Sequence, residues 1–69
     1  MKVSLGEYLR VIRERHGLTQ RELARASGVS FATISRIEGG KPAIFWNVVK
    51  IASALGISID DLIRETREK

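Results

Sequence analysis

Few side chains in this sequence could make or break bonds, and none of them is grouped. The single histidine, His16, stands beside Gly17. An imidazole there suits the negative end of a helix dipole and has no acid or second ligand next to it. Asp60 and Asp61 are adjacent, which fits first-turn charge on a helix better than a metal pair. There is no cysteine, so disulfides, thiolate nucleophiles and cysteine zinc sites are all removed. No Ser/His/Asp grouping or phosphate-cradling glycine loop occurs. These residues point away from an enzyme, a metal site and a cofactor.

The chemistry they do support is recognition, and it is concentrated between Gln20 and Ile37. Leu23 and Ala24 fall in a short helical stretch, Gly28 follows, Val29 comes next, and Ser30 stands where a cap would open another helix. Two helices that cross steeply through a tight turn bring their backbones close, so a small residue such as Ala24 fits the crossing. Gly28 supplies the positive φ that the turn needs. Ile34 and Ile37 then fix the second helix against the first and leave its opposite face outward. This is the layout of a helix-turn-helix, whose second helix has the proportions of the DNA major groove.

Other elements must position that pair. Apolar spacing predicts helices over about 5–16, 20–26, 31–38, 45–55 and 59–66. The inward residues are Leu5, Leu9 and Ile12 on the first (Tyr8 beside them), Leu23 and Ala24 on the second, and Ile34 and Ile37 on the third. The fourth turns Phe45, Val48, Ile51, Ala52 and Leu55 inward, and the fifth Leu62 and Ile63. Val29 and Ile57 plug the turns before the third and fifth. Ser4 with Glu7 and Thr19 with Glu22 have capping-box spacing, and Ser58 with Asp61 is a looser version. Every glycine except Gly6 follows a helical segment, where a left-handed residue ends a helix. No stretch alternates with period two, so no strand is predicted.

The chain has 69 residues, 12 Lys+Arg against 8 Asp+Glu, and 43% hydrophobic residues. Those values suit one small folded domain over 1–69, with its core at about 4–64 and a frayed polar tail at 65–69. Residues 1–50 carry 9 basic and 4 acidic side chains, and residues 51–69 carry 3 and 4. The positive excess lies in the first two thirds. Such a field attracts polyanions without specificity, although a well-solvated surface would carry the same charge. The longest apolar run, Ala43-Ile44-Phe45-Trp46, is far short of the roughly 20 residues that span a bilayer. No signal peptide is evident at Met1-Lys2-Val3-Ser4, so a cytoplasmic, non-membrane protein is expected.

Five segments, taken in order, resemble a known family: Leu18-Thr19-Gln20, Glu22-Leu23-Ala24, Gly28-Val29-Ser30, Ile34 to Lys41, and Ile51 to Ser58. It is the phage repressor/Cro-like helix-turn-helix group, also called the Xre family, and the likeness runs from residue 4 to about 64. The resemblance implies an all-α, compact five-helix bundle. It also implies sequence-specific binding to double-stranded operator DNA by a transcriptional regulator, a repressor, acting as a symmetric homodimer.

The resemblance also assigns residues. Positions matching Phe31, Ala32 and Arg36 face base edges. Arg36 can offer a fork to guanine, while Phe31 and Ala32 can meet a thymine methyl; the alternative for Phe31 is packing on its own domain. Gln20 opens the second helix, where free N–H groups favour a phosphate. Thr33 and Ser35 are short hydroxyls suited to phosphates, and Ser30 belongs to the same surface. Lys41 and Asn47 match positions that meet the DNA backbone. Arg21 and Arg25 read first as solvated helix charges, with contact to the DNA backbone as the alternative. Arg13 pairs with Glu38 by the same resemblance, holding the recognition helix rather than reading DNA.

One segment departs from the family. Its members often carry polar or basic residues around the positions of Ile44 and Trp46, and Ile44 also replaces a capping side chain. Either these two fold over the neighbouring loop or they form an exposed apolar patch, which often marks a partner surface. A second reading follows: a protein-interaction adaptor or antitoxin subunit that holds its partner at Ile44 and Trp46. By analogy the homodimer interface lies at Ile57, Ile59 and Ile63. No sensing domain is expected in 69 residues, so a signal is expected to arrive through a partner or the chain's own concentration.

Overall fold

A computed structural model describes residues 3–66. Its elements in order are α1 (Leu5–Arg15), α2 (Gln20–Ser27), α3 (Phe31–Glu38), α4 (Phe45–Ala54) and α5 (Ile59–Thr66). Among the described residues there is no strand, and the expected all-α five-helix architecture is the one observed.

Local chemistry accounts for most helix starts. The Ser4 hydroxyl accepts from the Glu7 N–H at 3.2 Å, and the Ser58 hydroxyl from the Asp61 N–H at 3.0 Å. At α2 the box is reciprocal: the Glu22 N–H donates to Thr19 Oγ1 at 3.0 Å and the Thr19 N–H to Glu22 Oε1 at 2.8 Å. These contacts satisfy N–H groups that the helix cannot. Helix α4 opens on Ile44, which offers no such side chain. Its start depends on packing further along.

The core is Leu9, Leu23, Val29, Ile34, Ile37, Val48, Ile51, Ala52, Leu55 and Leu62. Helix α3 packs on α1 and α2, α4 packs on α2, and α5 closes against α1 and α4. Gly6 lies at the α1–α3 crossing. A methyl group on it would overlap the carbonyl oxygen of Ile37 and crowd the Glu38 backbone, so only a glycine lets α1 approach the end of α3 this closely.

Four details differ from the sequence reading. Phe45 is not inward but 65% exposed, because the apolar stripe of α4 begins at Val48 and the core ends before the helix does. Ile63 is likewise exposed, at 46%, leaving Leu62 as the buried anchor of α5. Gly39 caps α3 with φ −83°, and the left-handed turn falls one residue later at Gly40. Helix α5 ends at Thr66 as its spacing predicts, with the Thr66 hydroxyl donating to the Leu62 carbonyl at 2.7 Å, so the polar tail does not begin as early as Glu65. The rest of the expected polar tail, residues 67–69, lies outside the described residues. No described helix is long and apolar enough to cross a membrane.

Candidate nucleic-acid interface

The pair α2–α3 is joined by a left-handed Gly28, φ 77°, whose N–H returns to the Ala24 carbonyl at 2.9 Å. Val29 then drops into the core and its N–H donates to the Ser27 hydroxyl at 3.2 Å. Behind α3, Ile34 and Ile37 are buried on Leu23 and the rest of the core. The opposite face of α3 is open. Phe31, Ala32, Ser35 and Arg36 are exposed.

The hydroxyls at the start of α3 are partly committed. Ser30 Oγ accepts from the Thr33 N–H at 3.1 Å and donates its proton to Thr33 Oγ1 at 2.8 Å. Ser30 therefore acts as a cap with its own donor engaged. Thr33, half-buried, keeps its hydroxyl proton available for an outside acceptor.

Thr33, Arg36, Ile44 and Asn47 line one shallow groove together with Pro42. The loop between α3 and α4 thus brings Arg36 and Asn47 together from different helices. Lys41 is held by its backbone, the N–H donating to the Arg36 carbonyl at 3.0 Å, while its side chain is exposed. On the groove's flank Ile44, Phe45 and Trp46 are 72%, 65% and 62% exposed. All three are exposed apolar side chains at the start of α4 rather than buried over the loop.

Gln20 is placed differently from its neighbours in the sequence reading. It is half-buried, and its amide Nε2 donates to Glu38 Oε1 at 3.0 Å. The same carboxylate receives a two-point fork from Arg13, Nε to Oε2 at 2.7 Å and Nη2 to Oε1 at 2.9 Å. Arg13 Nη1 donates to the Leu18 carbonyl at 2.7 Å. Both charged side chains are buried. The hydrogen bond to Glu38 raises the Arg13 pKa above the usual arginine value, outweighing the opposing effect of burial. Gln20 thus joins α2 to a network that already ties α1 to the end of α3.

The remaining titratable candidates sit apart from this face. His16 Nδ1 lies 2.9 Å from the Ile12 carbonyl on an exposed helix end. Asp61 is paired with Arg64 on α5. Ile57 and Ile59 are half-buried and packed on the core, whereas Ile63 faces outward.

Two features were not singled out from sequence. Gly6 is the one glycine outside the helix-ending pattern, and that is the sequence signal for its close approach to α3. Arg21 lies over the Phe31 ring, 4.2 Å from its centroid. Arg21 is near the start of α2 and Phe31 opens α3 just after the turn, so the contact depends on how the two helices cross.

Comparison with known proteins adds an independent line. A helix-turn-helix domain family matches residues 4–66. The HTH-type transcriptional repressor RghR of Bacillus subtilis is 48% identical over 65 residues, covering 87% of this chain and 46% of that protein. An uncharacterized HTH-type transcriptional regulator of Sinorhizobium fredii, y4mF, is 38% identical over 66 residues, covering 94% of this chain and 87% of that protein. The chain therefore spans about half the length of RghR and most of y4mF.

Proposed function

Because the chain belongs to the helix-turn-helix domain family over residues 4–66, we propose that it is a sequence-specific, double-stranded DNA-binding transcriptional regulator of the phage repressor/Cro-like group. It acts as a repressor, in the cytoplasm, as one helix-turn-helix domain. The observation that carries this reading is the division of α3 into two faces. Ile34 and Ile37 fix one face, while Phe31, Ala32, Ser35 and Arg36 leave the other free for the major groove.

Arg36 is the principal base reader, through a fork to guanine O6 and N7. Phe31 and Ala32 meet apolar edges such as a thymine methyl. Thr33, Ser35, Lys41 and Asn47 hold the backbone on either side, Thr33 through its available proton. Gln20 and Ser30 serve this surface chiefly by fixing it, through Glu38 and through the α3 cap. A symmetric homodimer joined near Ile57, Ile59 and Ile63 would set two copies of α3 about 34 Å apart, one helical turn of DNA.

Selection of bound sequences from random duplex DNA at two salt concentrations tests the reading. A recurring pseudo-palindrome is the expected result. A failure to bind any duplex in dilute buffer would reject it.

A second reading is favoured by the exposure of Ile44, Phe45 and Trp46: a protein-interaction adaptor or antitoxin subunit whose partner covers this patch. The two readings are compatible in one molecule. Purified chain carrying Trp46→Ala that keeps both its complexes and their stability would count against the second.

A further inference from the structure

Arg21 and Phe31 form a contact that the functions assigned above do not use. Arg21 is the second residue of α2 and Phe31 the first of α3, so their stacking at 4.2 Å joins the start of one helix of the pair to the start of the other. For the isolated domain this is a poor place for a cation. The first turn of a helix carries the positive end of its dipole. Arg25 follows one turn later on the same helix, and like charges at that spacing repel. The acid next to Arg21 is Glu22, and its carboxylate is occupied by the Thr19 N–H at 2.8 Å. Among the described residues, no carboxylate pairs with Arg21 or Arg25.

What holds Arg21 is the ring. A cation over an aromatic face is attracted by the ring quadrupole without using an N–H donor, so all five donors of the guanidinium fork stay open. Arg21, Arg25, Gly28, Ser30 and Phe31 line one shallow groove, and no acid lines it. Two unneutralised cations there, one of them aimed by an aromatic plate, are complementary to an anion from outside the chain. The side chains that enter the major groove come from α3. Arg21 comes from α2, and in a helix-turn-helix the first helix of the pair crosses the DNA backbone, which presents phosphates rather than base edges.

We propose that Arg21 is a further DNA-contacting residue that clamps a backbone phosphate through its fork, and that Phe31 positions it, with Arg25 adding supporting charge. The proposal rests on the DNA-binding reading above. Under it Phe31 has two tasks: one ring face carries Arg21, and the remaining surface stays available to the groove.

The test is equilibrium binding of the full chain to the selected duplex and to a scrambled duplex of equal length, titrated across salt. The variants are Arg21→Gln, Phe31→Leu and the two combined, each checked by circular dichroism for native helix content. Arg21→Gln should weaken both duplexes by the same factor, on the order of ten-fold, and lower the slope of log K against log salt by about 0.9 per protomer. Phe31→Leu should reproduce part of that slope change when Arg21 is present and none of it in the Arg21→Gln background. An unchanged slope for Arg21→Gln overturns the proposal, as does a Phe31→Leu change in slope of equal size with and without Arg21. A changed base preference for Arg21→Gln makes Arg21 a base reader and removes the phosphate role. If the unaltered chain binds neither duplex, both this proposal and the reading beneath it fail, which separates that case from failure of the proposal alone.

Discussion

Arg13 lies on α1, yet its guanidinium bonds at one end to the Leu18 carbonyl and at the other to Glu38. A buried pair of this kind adds little net stability over an apolar substitute, but stranding one charge is severe. Glu38→Ala should therefore destabilise the domain by about 3–5 kcal/mol in urea unfolding, while Arg13→Met with Glu38→Leu should recover most of the loss. Equal destabilisation by the single and the paired change would show that the carboxylate has another task. Arg36 is the contrasting case, exposed and without a role in the core. Arg36→Ala should leave unfolding unchanged and remove about 1–3 kcal/mol of discrimination at one base pair in each half-site. Uniform weakening on every sequence would instead make it a backbone contact. The different placing of Gln20 is a matter of reach. Its sequence position marks a helix start, but the amide partner is Glu38, at the far end of the next helix, and no local rule connects those positions.

Helix boundaries follow from local chemistry, which is why they were readable. A hydroxyl cap, an acid three residues on and a glycine at the end are all short-range instructions, and α2 obeys every one. Contacts between helices are written less plainly. The sequence marks Gly6 only as the glycine that ends no helix, and its reason shows when α1 is seen against the Ile37 carbonyl. Gly6→Ala should push α1 off the end of α3 and cost about 1–3 kcal/mol, as overpacking does. Because α3 is the element displaced, DNA affinity should fall with the melting temperature; a normal melting temperature would mean the crossing is slack. The start of α4 shows the opposite kind of misreading. Phe45 has the spacing of a core residue, but the spacing continues past the point where neighbours exist to cover it. Ile44 also leaves this helix uncapped. Ile44→Ser should supply the missing acceptor and raise stability by about 1 kcal/mol in thermal or urea unfolding. A gain in stability combined with a loss of binding would mean that the apolar patch is kept for its partner at the expense of the helix.

On the scale of the whole molecule, the open question is which faces are covered in the working state, and the chain carries its own reporter. Trp46 is the single tryptophan and is 62% exposed. It sits beside the groove formed by Thr33, Arg36 and Asn47. Along α4 it is about 12 Å of helix rise from Ala54, where the chain turns toward α5. A homodimer built through Ile63 and its neighbours would leave this indole in water. DNA drawn to the basic first two thirds of the chain would approach its side of the molecule. Trp46 emission should therefore be that of a water-exposed indole, stay constant as the chain is concentrated through dimerisation, and change on adding duplex. Ile63→Lys should abolish the concentration dependence of sedimentation without altering that emission. A blue shift on concentration alone would reverse the assignment. The apolar patch at 44–46 would then be the surface where two copies meet, and α3 in such a dimer would have to reach DNA from a different spacing than one helical turn.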